Sequence, residues 1–169
     1  MGEKNLLDLW EVRRLLEPPA TAKAAERISG DDLSQLQGIF DYMRHGSDVA
    51  ATVTDDAHFH EIIVESAGNE TLASILSNLS SRTLRSRVWR SVKEAGAVSI
   101  TIAEHADILA ALEAHDTEMA RAAAALHVCT SEAWFRSKFA RVESPVARSV
   151  GFKRPSLSSS GASGKGGPG

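Results

Sequence analysis

The chain has 169 residues, the length of one domain, which is enough to bury a sizeable core. Its hydrophobic fraction of 43% and charged fraction of 24% are those of an ordinary globular protein, and its net charge of -3 argues against broad attraction to nucleic acid or anionic membrane. The single cysteine, Cys129, excludes an internal disulfide and fits a reducing cytoplasm, while no signal peptide and no long apolar run is present.

Ala, Leu, Glu and Arg dominate, and no strand or hairpin pattern stands out, so the expected class is all-α: an antiparallel bundle of about six to seven helices. A first helix is expected over about Asn5 to Ile28, with Leu6, Trp10, Leu16 and Ala20 near helical spacing. Pro18 and Pro19 should kink it or divide it into two abutting segments. Gly30 is expected as its C-terminal punctuation and Asp31 as the cap of a second helix, about Asp32 to Arg44. After a turn at His45 to Ser47, a third helix spans about Val49 to Ala67, starting no later than about Thr54. Gly68 and Asn69 form a break, Asn69 capping a fourth helix from about Glu70 to Val92. A fifth is expected near Thr101, where Thr101 and Glu104 fit a capping box, and runs to about Ala114. Asp116 then caps a sixth, to about Phe139. The helical domain is placed at 1–145. Residues 146–169, rich in Ser and Gly with almost no apolar content, are expected to form a disordered tail.

Six histidines punctuate the chain: His45, His58, His60, His105, His115 and His127. Asp56 and His60 lie four residues apart on one helix, one turn apart on one face. His105 lies on the fifth helix. His127 lies on the sixth, on the face of Ala120, Ala123 and Ala124, whose small side chains leave room in a bundle interior. Four such groups from three helices are able to converge on one metal. Imidazole and carboxylate donors suit zinc, nickel, manganese or iron, and without thiolates this is not the usual closed structural zinc site. Spacing alone leaves surface or core histidines as the competing reading. His45 is expected in a loop, His58 off the Asp56–His60 face, and His115 facing solvent at a helix junction.

Four segments in order carry a family resemblance. Leu9 to Pro18 (LWEVRRLLEP) resembles the opening helix of the C-terminal effector-binding (FCD) domain in the FadR branch of the GntR-type regulators. Asp56, Phe59 and His60, followed by Gly68-Asn69 and Leu72, resemble its D-x-x-F-H and G-N-x-x-L pattern. Glu104 to Leu112 (EHADILAAL) and Asp116 to His127 resemble its last two motifs. The match covers about residues 5 to 140.

The resemblance implies a helical bundle that dimerises and holds a divalent metal ion through Asp56, His60, His105 and His127. It places the chain in the metal-binding subgroup, with zinc first among zinc, nickel, manganese or iron. It also implies a small carboxylic-acid effector at the metal, with Arg13 as the arginine that clamps it. Arg82, Arg85 and Arg87 lie on the fourth helix, one of them a candidate for the cavity; Trp10, Trp89 and Trp134 are expected in core or interface. Such a domain would be cytoplasmic and not an enzyme, and would act on DNA only through a winged helix-turn-helix that is expected to be absent here. Two other readings compete with it. A metal-dependent hydrolytic enzyme would need a general base, and Asp55 and Glu61 do not share the Asp56–His60 face. A plain helical interaction module would bind neither metal nor small ligand.

Overall fold

The computed structural model describes residues 3–46, 48–94 and 96–142. Among these the chain forms six helices and no strand: α1 (Glu3–Arg27), α2 (Gly30–His45), α3 (Val49–Ser66), α4 (Glu70–Lys93), α5 (Ala97–Glu113) and α6 (Thr117–Val142). The expected tail, 146–169, lies outside the described residues. Connections of two or three residues turn successive helices back on one another. No single helix among the described residues is long and apolar enough to cross a membrane.

The first helix is the axis of the bundle, packing on α6, α3, α4 and α5. Its pairing with α6 is antiparallel: Trp10 stacks on Phe135 near one end, and the Ala25 carbonyl meets His115 Nδ1 at 2.8 Å near the other. Apolar side chains gather in three clusters. One joins Ala24, Ile28, Leu36, Phe59, Ile63, Ile108 and Leu112; a second joins Leu9, Ala20, Val64, Leu76 and Leu79; a third joins Leu6, Trp10, Val128 and Phe135. Trp10 is fully buried as expected, while Trp89 is 41% exposed and Trp134 half-buried.

The structure departs from the sequence reading at three places. α1 runs as one helix through Pro18 and Pro19, which excludes the two-segment form of that expectation. The prolines deprive the carbonyls of Arg14 and Leu15 of their donors, but Leu15 is 61% exposed, so that side of the helix is open to solvent. Buried Trp10 before the prolines and Ala20, Ala24 and Ala25 after them anchor both halves in the core. Second, the cap of α2 is Ser29, not Asp31: its Oγ accepts from the Asp32 amide at 3.1 Å and donates to Asp32 Oδ2 at 2.7 Å. Gly30 is the first residue of α2, without positive φ.

Third, α5 starts at Ala97 rather than Thr101, opening on Gly96 at φ 83 with no side-chain cap. Ala97 is only 2% exposed, and burying it carries the helix a turn further back. Thr101 is therefore inside the helix, and Glu104 serves elsewhere. The caps at Asn69, which accepts from the Leu72 amide, and at Asp116, which accepts from Glu118 and Met119, are those expected. His115 is exposed as expected, yet it adopts φ 51 in a Schellman turn closed by Asp116 N to Ala111 O, and its ring reaches back to α1.

Gly68 ends α3 at φ 66, and a Cβ there would stand 2.9 Å from Arg27 Nη1, which donates to the Ala67 carbonyl at 3.0 Å. Gly68→Ala should cost roughly 1–3 kcal/mol by combining left-handed strain with this clash. Gly38→Ala, mid-helix with nothing within 4 Å of the new methyl, should instead stabilise by about 0.5–1 kcal/mol. Urea denaturation of both variants measures these opposite signs.

Candidate metal and effector site

Asp56, His60, His105 and His127 come together in the bundle interior. Each offers a ligand atom, and these atoms all lie within 4.8 Å of one another. Helical spacing on α3 puts Asp56, Phe59, His60 and Ile63 on its inward side, where Phe59 stacks on the His105 ring at 4.7 Å and fixes its plane. On α5, His105 belongs to the buried run with Glu104, Ile108, Leu109 and Leu112. On α6, Ala120 and Ala124 are nearly inaccessible and let that helix approach closely enough for His127 to enter. The three imidazole centroids are 4.8–5.0 Å apart.

The donor atoms are short of partners. His60 Nε2 and both ring nitrogens of His105 are buried without a hydrogen bond. Asp56 Oδ1 lies 3.3 Å from His105 Nε2 and 3.8 Å from His60 Nε2, while its Oδ2 forms an ion pair with Arg87 Nη1. His127 Nδ1 donates to Glu104 Oε2 at 2.9 Å, which orients the ring and leaves Nε2 as its lone-pair nitrogen. A buried nitrogen without a partner is costly. Two unpartnered imidazoles beside a carboxylate, with a third held by its own carboxylate, fit a divalent cation.

Protonation states agree with that fit. Burial, reinforced by His127 and His105, drives His60 well below the imidazole range. Burial, reinforced by His127, drives His105 down to about 3 against the opposing pull of Asp56. Burial pushes Asp56 up, but Arg87 and the surrounding rings more than offset this and hold it ionised. His60 and His105 are thus neutral imidazoles beside a carboxylate, the form that ligates metal.

Two cavities adjoin the cluster, and Arg87 lines both. The larger, about 140 Å³, lies between α3 and α4 and reaches Glu17 of α1; His60 and Arg87 line it together with apolar Val64, Leu76 and Leu84. The smaller, about 30 Å³, lies on the other side, bounded by Asp56, His127 and Arg90. Arg90 donates to Ser131 Oγ at 2.7 Å, and the Nε atoms of Arg87 and Arg90 are both unpartnered.

Arg13 is fully buried and committed elsewhere: it pairs with Glu17, lies 3.4 Å from Thr83 Oγ1 and stacks 4.3 Å over Trp10. It lines neither cavity; Glu17 does. Of the α4 arginines, Arg87 faces the site and Arg82 is exposed. His58 is exposed, and His45 closes α2 with its Nδ1 on the Asp41 carbonyl. Sequence reasoning missed Glu104, whose place in the pair Glu104-His105 was read as capping. It also set Glu61 aside, although Glu61 lines the larger cavity.

The described residues thus form an all-helical bundle with a buried carboxylate and three imidazoles at its centre. The description "FCD domain" matches residues 8–129, and the chain belongs to this family of GntR-type regulator domains. A galactonate operon transcriptional repressor of Escherichia coli (strain K12) is 29% identical over 124 residues, covering 72% of this chain and 53% of the relative. The chain thus spans about half the length of that curated relative. Two solved structures share the fold: E. coli McbR/YncC, with TM-score 0.72 and 21% identity over 81% of this chain and 70% of that one, and Streptococcus agalactiae GntR, with TM-score 0.64 and 23% identity over 78% and 60%.

Burial of neutral imidazoles has a consequence for stability. Unfolding returns His60 and His105 to the ordinary value of 6.5. Between that value and the folded ones the unfolded chain carries protons that the folded chain does not, so metal-free stability rises with pH there and falls as pH drops from about 6.5 toward 3. Asp56, held below 3.8, adds a loss of the same sign at lower pH. Chelator-treated protein should show a lower urea midpoint at about pH 5 than at about pH 7.5, and His105→Gln should narrow the gap. Equal midpoints would contradict neutral burial.

Proposed function

We propose that this domain holds a divalent metal ion through Asp56, His60, His105 and His127, and senses a small carboxylic acid beside it. Zinc suits the donor set first; nickel, manganese and iron share these ligand preferences. The observation that carries this reading is the group of buried, unpartnered imidazole nitrogens facing Asp56. When bound, the metal supplies open coordination positions for a carboxylate. The chain's own residues do the rest. Glu104 holds the His127 ring in register, Phe59 holds His105, and Arg87 places a buried cation in the lining of both cavities.

Arg13, the arginine that the resemblance implies as the clamp, pairs with Glu17 and holds that carboxylate at the cavity wall. The reading extends to a homodimer whose DNA contact comes from a winged helix-turn-helix outside this sequence. A galactonate operon repressor among the relatives agrees with a role in transcription. Acid binding would alter the placement of attached domains to the extent that it binds one arrangement more tightly than another. A regulator of this kind works in the cytoplasm and does not turn its ligand over.

Metal content by mass spectrometry, on tag-free protein never exposed to nickel resin, tests this. About one divalent ion per chain is expected in the parent and none in the His105→Ala, His127→Ala double variant. Asp116→Ala should lose only cap energy, about 1 kcal/mol, and keep its metal. Glu104→Gln should keep the site but weaken it on the order of 10–100-fold, since it removes the group that orients His127. Adding zinc to chelated parent should raise its melting temperature by mass action and leave the double variant unmoved. A parent that takes up no zinc, nickel or manganese would reduce the domain to a metal-free module.

A further inference from the structure

The polar centre of the bundle is charge-balanced before any metal enters. Three carboxylates, Asp56, Glu104 and Glu17, and three guanidiniums, Arg87, Arg90 and Arg13, lie buried in and around the cluster. The other buried carboxylate among the described residues, Glu132, is met by Arg14 and Arg136. Imidazoles that ligate metal are neutral and leave this balance unchanged. A divalent ion therefore brings two positive charges in excess into a buried setting.

Asp56 is the one carboxylate among the four ligands, and it is shared. Its Oδ2 pairs with Arg87 Nη1, leaving Oδ1 toward His105 and His60. Arg87 is anchored in that place, since its Nη2 donates to Ser80 Oγ at 2.8 Å. Arg90 lines the smaller cavity with Asp56 and His127, and it leans on a neutral hydroxyl, Ser131 Oγ. Two effects of Arg87 oppose each other. By fixing Asp56 it orients a ligand, which favours metal by about 10–100-fold. By placing a positive charge on the same carboxylate it repels the ion. Both charges are buried, where salt screens little. Between a divalent and a monovalent cation that share one carboxylate, this repulsion is on the order of a thousandfold or more in affinity, even at an effective dielectric of about 20. Repulsion wins. We infer that Arg87 and Arg90 are built-in counter-cations that hold the metal-free site together and keep its affinity for a divalent ion low, so that the ion stays exchangeable. This inference rests on the four-residue metal reading above.

Competition for zinc against a chromogenic chelator tests it. Arg87→Gln is still able to hydrogen-bond Asp56 but carries no charge, and it should bind zinc about tenfold or more tightly than the parent. Its chelator-treated form should show a lower urea midpoint, because buried Asp56 has lost its counter-charge. Arg87→Lys, which keeps the charge, should stay within about threefold of the parent. Arg90→Gln removes a charge without touching the Asp56 pair, and should tighten zinc by about threefold or more. Zinc bound no more tightly by Arg87→Gln than by the parent overturns the inference. Where that variant loses its helical circular-dichroism signal without metal, the same result with Arg90→Gln overturns it. Arg87→Lys binding zinc as tightly as Arg87→Gln also overturns it, since charge is then not the cause. In each of these cases the metal reading stands. A parent that takes up no zinc, nickel or manganese overturns both.

Discussion

The structure turns on the removal of Asp56, His60 and His105 from water. A bundle of this size would ordinarily fill its centre with apolar side chains, since each buried polar atom without a partner costs free energy. Here the centre holds a carboxylate and three imidazoles, and the neighbours are arranged around that burden. Arg87 meets Asp56, Glu104 meets His127 and Phe59 covers His105. Further out, Arg13 and Glu17 form a second buried pair, and Arg90 leans on Ser131. Acidic and basic groups thus alternate outward from the cluster. The three apolar clusters supply the cohesion that tolerates this polar seam.

The seam also ties the helices to one another. Its donor atoms come from α3, α5 and α6, its cations from α4, and its outermost pair from α1. Any ligand at the centre therefore touches elements that are distant in sequence. Only α2 contributes no polar group to the seam; its inward residues, Leu36 and Met43, are apolar and pack against α3 and α5.

Much of this was legible in the sequence, and unevenly. Helix existence followed from composition and periodicity, and the Asn69 and Asp116 caps from local hydrogen bonding, because each depends on a few adjacent residues. The start of α5 was misplaced because the burial of Ala97 is a tertiary effect that no local cap announces. The continuity of α1 through two prolines likewise depends on packing at both ends. At the site, the D-x-x-x-H spacing and the motif order pointed to four groups that the fold does bring together. Glu104 and Arg87 escaped or stayed ambiguous because their partners, His127 and Asp56, lie 23 and 31 residues away. Arg13 looked like a free clamp in the sequence; only the fold reveals Glu17 and Trp10 around it.

Pro18 and Pro19 follow directly on Glu17, the α1 residue that lines the larger cavity. A helix that lacks two successive ladder bonds is mechanically soft at that point. Leu6, Leu9, Trp10 and Arg13 ahead of that point are buried, and Trp10 stacks on Phe135, so bending at the prolines is not free to one half of α1 but drags α6 with it. The cavity wall at Glu17 thus sits where the stiffest packing in the bundle adjoins its weakest stretch of helix ladder.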